Sequence, residues 1–369
     1  MSIKIFHVAD LHIGMKFNSY PTYVSEVLQK ARIESLEKLI ETANLQQCDL
    51  FVIAGDLFNG ISGIDKKTIS KVMSALEGFA GKCVAVLPGN HDYDNGMIDL
   101  WTDFKKKNDK IVLLNESYPY SLEKYGLNTM LYPAPCQTKH SSENNISWIK
   151  DYKVDDEFIN IGIAHGSLAG LSPDLKNEYY TMTESELLKI PVDAWLLGHT
   201  HITYPNKQTI SDNKIFNPGT PEPDGLDCLH SGSAWLISVS DEKKVKGELI
   251  TTGLYRFIDQ VFNIESKNDL IKLENDIIQT NADKTIARIS LDGRVTEDLY
   301  QEAVEILDRI EKSILYLRRD VSAFGIKITK EKIHKEFSEG SFPQLLLMEL
   351  TDDENALQLA YEFIMGVKK

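Results

Sequence analysis

The chain has 369 residues, more than one ordinary core accommodates, and an apolar fraction of 42% suits a globular protein. A net charge of −15 argues against a general polyanion-binding surface, and no apolar run is long enough to span a bilayer. Cys48, Cys83, Cys136 and Cys228 lie far apart without a C-x-x-C pair and read as buried thiols of a reducing compartment. The opening Met1-Ser2-Ile3-Lys4-Ile5 lacks the apolar core of a signal peptide, so a cytoplasmic location away from membranes is expected.

In chain order, residues 3–9 read as a short apolar strand and 24–43 as a helix, with Val27, Ala31, Leu36, Leu39 and Ile40 on one side. Continuous apolar strands are expected at 50–54 and 83–87, with a helix at 68–79 between them. The residues Met97, Ile98, Trp101 and Phe104 fit either a dimer helix or a core-facing one. Residues 137–145 read as a polar loop, and apolar strands recur at 158–164 and 194–197. Shorter strands follow at 214–216, 234–240 and 247–251. Strands buried on both faces and alternating with helices predict an α/β fold, a two-sheet β-sandwich flanked by helices.

A boundary is expected near Tyr255, giving domains 1–254, 255–327 and 328–369. The second reads as a small α/β domain: strand 256–264, a capped helix opening at Ser266 with Asp269 at its third position, strand 285–291, helix 296–312 and strand 314–317. The third is a helix-rich acidic tail, suited to packing on the chain or docking a partner.

Five of the nine histidines fall in five stretches that each follow an apolar strand: Asp10-Leu11-His12, Gly55-Asp56, Gly89-Asn90-His91-Asp92, His165-Gly166 and Gly198-His199-Thr200-His201. Each is weak alone. Delivered together from strand ends, their carboxylates, imidazoles and amide form the donor set of a two-metal hydrolytic site, and phosphate ester hydrolysis suits it. Among the remaining histidines, His7 reads as a core or supporting residue, His140 as solvated in the polar loop, His334 as part of the amphipathic tail, and His230 as a candidate to line the substrate cleft.

These motifs, over roughly residues 1–255, resemble the calcineurin-like metallophosphoesterase superfamily. His7-Val8-Ala9-Asp10-Leu11-His12, Gly55-Asp56-Leu57-Phe58 and Asn217-Pro218-Gly219-Thr220-Pro221-Glu222-Pro223 are similar to SbcD-like DNA-repair exonucleases, in particular the YhaO-like group, and the small α/β domain matches that family's cap domain in position. The resemblance implies two divalent ions, manganese (Mn2+), one held by Asp10, His12, Asp56 and His201 and the other by Asp56, Asn90, His165 and His199. It implies His91 as the general acid, Asp92 as its orienting partner, and hydrolysis of phosphodiesters by metal-bound hydroxide in a 3'-5' DNA exonuclease of DNA repair and recombination. It further implies DNA as substrate, an SbcC-like ATPase subunit as partner and homodimerisation. Many nuclease members carry histidine three residues after the bridging aspartate; here Asn59, a further substrate-contact candidate, stands there and cannot donate a proton as imidazolium does. A small-molecule phosphodiesterase or phosphatase of the same superfamily is the alternative, and a non-catalytic subunit is a third reading.

Overall fold

The computed structural model describes residues 2–106, 109–150, 152–171, 174, 176–228 and 230–367. Two compact units, Met1–Arg256 and Phe257–Lys369, make up the chain. In the first, β1 (Ile3–Val8), α1 (Thr22–Leu45), β2 (Leu50–Ala54), α2 (Lys66–Glu77) and β3 (Cys83–Leu87) alternate as expected. There follow α3 (Thr102–Lys105), β4 (Ile111–Leu113), β5 (Tyr120–Ser121), β6 (Thr129–Ala134), α4 (Ser147–Lys150), β7 (Ile159–His165), α5 (Glu184–Lys189) and β8 (Ala194–Gly198). Four strands close the unit: β9 (Thr209–Ser211), β10 (Ile215–Phe216), β11 (Ser233–Val239) and β12 (Val245–Thr251).

These strands form two sheets, ordered β4-β3-β2-β1-β11-β12-β9 and β10-β8-β7-β6-β5. Because side chains alternate across a strand, β2 serves two cores at once. Leu50, Val52 and Ala54 face the second sheet, packing among Ile5, Ala85, Leu131, Ile161, Ile163, Leu196 and Trp235. Phe51 and Ile53 face outward, where Phe6, Val84 and Val86 meet Leu36, Leu39 and Ile40 of α1 and Val72 and Leu76 of α2. The outer face of the second sheet is covered by Ile146, Ile149 of α4 and Leu187 of α5, which pack on Tyr132, Trp195 and Leu197. The result is a layered sandwich with helices on both outer faces, the α/β architecture expected from the sequence.

Trp101 and Phe104 are buried in the outer core against Phe58, whereas Met97 is exposed. The apolar segment after His91 therefore spends its aromatic side chains on packing, as the core-facing alternative expects. β6 is not anticipated by the sequence pattern, because Pro133 lies within it. Past Leu131 no residue of β5 pairs with β6, so at Pro133 the strand has an open edge, where proline is tolerated.

The second unit pairs β13 (Arg256–Asn263), β14 (Thr285–Val295) and β15 (Tyr316–Ile326) in that order, with α6 (Lys267–Ile277) and α7 (Glu297–Ser313) supplying Leu270, Leu273, Ile306 and Ile310 to a core of its own. Ser266 and Asp269 form the capping box of α6. β14 and β15 run well past their apolar starts, because backbone pairing continues through polar residues such as Arg294 and Asp320. The last three helices, α8 (Lys330–Glu336), α9 (Phe342–Glu349) and α10 (Glu354–Val367), share a small cluster around Ile333, Phe337, Leu347 and Leu357. Arg319 is engaged by Asp308 and Glu311.

Phe51 stacks on Phe6 with ring centroids 5.6 Å apart, and both are fully buried. Truncating such a side chain in a close-packed core costs about 3–5 kcal/mol. Phe51→Ala is thus expected to lower the urea midpoint of the first unit's unfolding while leaving that of the second in place; coincident loss in both would contradict separate cores.

Candidate metal centre

All five stretches leave the carboxyl ends of parallel strands, β1, β2 and β3 in one sheet and β7 and β8 in the other. Crevices beyond such strand ends are where open α/β sheets bind ligands. The chain must turn sharply there, and Asp10 (φ 57°), His12 (φ 48°), Asp56 (φ 52°) and His199 (φ 93°) all occupy the left-handed region. Aspartate tolerates this better than most residues, but each such position costs about 1–3 kcal/mol and persists only where surrounding contacts enforce it. The enforcing contacts are visible: Asp10 N–H donates to Gly55 O (3.1 Å), His12 N–H to Asp56 O (3.0 Å) and His199 N–H to the Asp10 carboxylate (2.9 Å). Two glycines permit the close approach. A Cβ on Gly55 would lie 2.0 Å from His165 Nδ1, and one on Gly89 would lie 2.2 Å from Asp56 Oδ1.

Around Asp56 the donor atoms separate into two groups. On one side His12 Nε2 and His201 Nε2 are 3.1 Å apart, with Asp10 Oδ1 3.8 and 3.6 Å from them and Asp56 Oδ2 3.8 Å from His12 Nε2. On the other, Asn90 Oδ1 lies 3.0 Å from both His165 Nε2 and His199 Nδ1, and Asp56 Oδ2 lies 3.4 Å from His165 Nε2. Asp10 Oδ1 is buried without a hydrogen-bond partner. Lone pairs converging this closely, one of them orphaned, fit cations. Asp10, His12 and His201 form one triad with the reach of a metal site; Asp10, Asp56 and His165 form another, and His12, Asp56 and His91 a third.

Tautomers are set from behind. Ala54 O can only accept, so His165 donates Nδ1–H to it (2.8 Å), and the neutral ring presents a bare Nε2 inward. Burial opposes protonation of His165, but the Asp56 carboxylate overrides it and raises the imidazole to about 9. Burial also opposes protonation of His201, and Asp10 and Asp224 override it, to about 10. His12 and His199 lie lower, at about 4, through burial and then, for His12, against the pull of Asp56 and, for His199, with the push of His165. Asp56 resists desolvation and is held well below the usual carboxylate range by His165 and His12.

His91 is half-buried at the rim. Its N–H donates to Asp56 Oδ1 (2.8 Å), its Nδ1–H points to Asn59 O (3.3 Å), and its ring meets that of His12 edge-on at 5.0 Å. Asp92 departs from its expected role. Its carboxylate oxygens accept the N–H groups of Phe58 (2.9 Å) and Gly89 (2.7 Å), so it fastens the β2 and β3 loops together, and the carbonyl of Asn59 is what orients His91. Burial and the nearby Asp56 push the Asp92 carboxyl up to about 8. Asn59 enters through its backbone, and His230 lies against Cys228, with Nε2 3.1 Å from Sγ and Nδ1 accepting Gly232 N–H.

Sequence reasoning missed two residues. Asp224 Oδ2 is 2.9 Å from His201 Nδ1. Arg32, buried within α1, donates to Glu222 O (2.9 Å), Pro223 O (3.3 Å) and Leu11 O (3.5 Å). The acid directly after Pro221-Glu222-Pro223 was readable; Arg32 gave no signal beyond being a charge on the apolar side of a helix.

The calcineurin-like phosphoesterase family model matches residues 3–203, and the chain belongs to that family. It is similar to the uncharacterized metallophosphoesterase YhaO of Bacillus subtilis (strain 168), 26% identical over 207 residues that cover 54% of this chain. That match spans about half of the relative's own length, 48%. The SbcD subunit of the SbcCD nuclease of Staphylococcus saprophyticus subsp. saprophyticus is 20% identical over an alignment of 386 residues, covering 99% of this chain and 94% of that protein. The crystal structure of TT1561 of Thermus thermophilus aligns over 68% of this chain and all of that one, at 11% identity and a TM-score of 0.36. The protein is a phosphoesterase of the hydrolase class by family, and the donor clusters point to divalent metal ions. Among the described residues no helix is long and apolar enough to cross a membrane.

His7, fully buried in β1, donates Nε2–H to Leu197 O (3.1 Å), and burial lowers its pKa from 6.5 to about 3. A histidine with a depressed folded-state pKa contributes stability that is present above 6.5 and is lost as pH falls from 6.5 toward 3. His7→Gln is expected to flatten the pH dependence of stability between pH 6 and 4 by up to about one proton, roughly 1.4 kcal/mol per pH unit. Urea denaturation at stepped pH measures it, and an unchanged slope would contradict the assignment.

Proposed function

We propose that this chain is a two-metal phosphodiesterase acting on DNA, the nuclease subunit of a repair complex. The observation that carries the reading is the convergence of Asp10, His12 and His201 on one side of Asp56, and of Asn90, His165 and His199 on the other. These residues would hold two divalent ions, with Asp56 shared, and the mixed nitrogen and oxygen donors suit manganese. Such a pair of ions supplies charge stabilisation on phosphate oxygens and a nucleophile at neutral pH.

His91 stands outside the two groups as the proton donor to the leaving oxygen. With Nδ1–H directed at Asn59 O, its Nε2 is the atom that carries the transferred proton, and the carbonyl stabilises the imidazolium before transfer. The Asn59 side chain takes no part in this. DNA as substrate is supported by the near full-length similarity to a nuclease subunit. These 369 residues contain no G-x-x-x-x-G-K-[ST] sequence, and an SbcC-like ATPase subunit is the partner that goes with this reading. Homodimerisation and a docking role for the helices after residue 328 belong to the same proposal. The net charge of −15 favours a second reading, a small-molecule phosphodiesterase using the same site.

Labelled single- and double-stranded DNA and bis-p-nitrophenyl phosphate, each with manganese, separate the readings. The wild type is expected to cut DNA. His91→Ala is expected to lose about 10²–10⁴ in kcat while still taking up two ions, and Asp56→Ala to lose both activity and metal. Hydrolysis of the small diester alone, even with an ATPase partner added, would overturn the nuclease reading. Full activity in Asp56→Ala would overturn the site.

A further inference from the structure

His201 and Asp224 form a pair that the proposed ligand set leaves unexplained. The carboxylate Oδ2 lies 2.9 Å from His201 Nδ1, and the Asp224 side chain is only 19% exposed. A carboxylate at Nδ1 fixes the proton of the neutral ring there, leaves the lone pair on Nε2 and increases its basicity. That lone pair faces Asp10 Oδ1 and His12 Nε2. His165, on the opposite side of Asp56, is set by the carbonyl of Ala54 instead. The two donor groups thus have different supports, a charged one behind His201 and a neutral one behind His165.

The segment that carries Asp224 is itself anchored. Arg32 donates to the carbonyls of Glu222 and Pro223, the two residues before Asp224, and to that of Leu11, between Asp10 and His12. Its guanidinium lies 5.5 Å from the centroid of the Phe17 ring, and the residue is 1% exposed. Glu222 adds a second anchor, its carboxylate oxygens accepting the N–H groups of Leu254 (2.7 Å) and Tyr255 (2.8 Å). Thr220 Oγ1 ties the same segment to Asp10 O (3.1 Å). One buried cation therefore holds the loop that supplies Asp10 and His12 and the loop that supplies the partner of His201.

We propose that Asp224 is a positioning residue for His201, held in place by Arg32, and that together they tune one of the two metal positions without acting on the other. The inference rests on the two-metal reading. It gives the two ions unequal affinities, the Asp10–His12–His201 position depending on Asp224 and the Asn90–His165–His199 position independent of it.

Stepwise binding of manganese alone to the full chain, followed by calorimetry, tests it. Asp224→Ala is expected to weaken one of two binding steps by about 10–100-fold and leave the other within about twofold, while Asn90→Ala weakens the opposite step. Asp224→Asn, which keeps an acceptor oxygen, is expected to fall between wild type and Asp224→Ala. Arg32→Lys retains a charge but cannot reach three carbonyls, and is expected to weaken the same step as Asp224→Ala. Thermal unfolding of each metal-free variant reports whether the fold is intact, and the Asp224 variants stand on their own if Arg32→Lys does not fold. Equal weakening of both steps by Asp224→Ala, or of neither, overturns the proposal alone. A wild type that binds fewer than two ions overturns the two-metal reading and the proposal with it.

Discussion

Everything at the carboxyl ends of these strands depends on one constraint: a buried aspartate must keep its charge between two sets of imidazoles. Asp56 sits in a left-handed turn two residues beyond a strand with no exposed residue. Desolvating an isolated carboxylate is very costly, and such a group would take up a proton instead. Here one oxygen accepts the His91 N–H and the other faces His12 and His165, so the charged form is retained. The same contacts draw the loops after β1, β3 and β7 toward β2. The two-sheet architecture exists, in effect, to bring parallel strand ends from both sheets to this carboxylate.

The cost of that convergence is spread over the surrounding loops. Four residues of the centre adopt left-handed backbone conformations, and each is locked by a hydrogen bond to another loop of the centre or sits next to one. Asp92 is part of this framework, pinning Phe58 and Gly89, and its peptide carbonyl accepts Trp101 Nε1–H (2.6 Å). Trp101 is in turn packed on Phe58 and Phe104. A run of apolar residues after the motif thereby becomes the support beneath it. Preorganisation of this kind is what electrostatic catalysis requires, since donors that are already oriented need not reorganise during reaction.

Much of this was legible in the sequence for a physical reason. Strands such as 50–54 and 83–87 are buried on both faces, so they read as continuous apolar runs, and polar chemistry appears at once where they end. Asp10, Asp56, Asn90, His165, His199 and His201 all stand at such a discontinuity. Arg32 does not, and its function is fixed by carbonyls up to 191 positions away that no local pattern encodes. Asp92 misleads because adjacency to His91 suggests contact, whereas neighbouring residues in a turn point different ways. β6 is hidden by a proline that only an open edge permits, and the outer halves of β14 and β15 by their polar side chains.

The proposed chemistry requires two cations, one on either side of Asp56. Anomalous diffraction from crystals grown with manganese measures this directly. Two peaks per chain are expected, one contacted by Asp10, His12 and His201, the other by Asn90, His165 and His199, both adjacent to the Asp56 carboxylate. A single peak, or peaks away from Asp56, would contradict it.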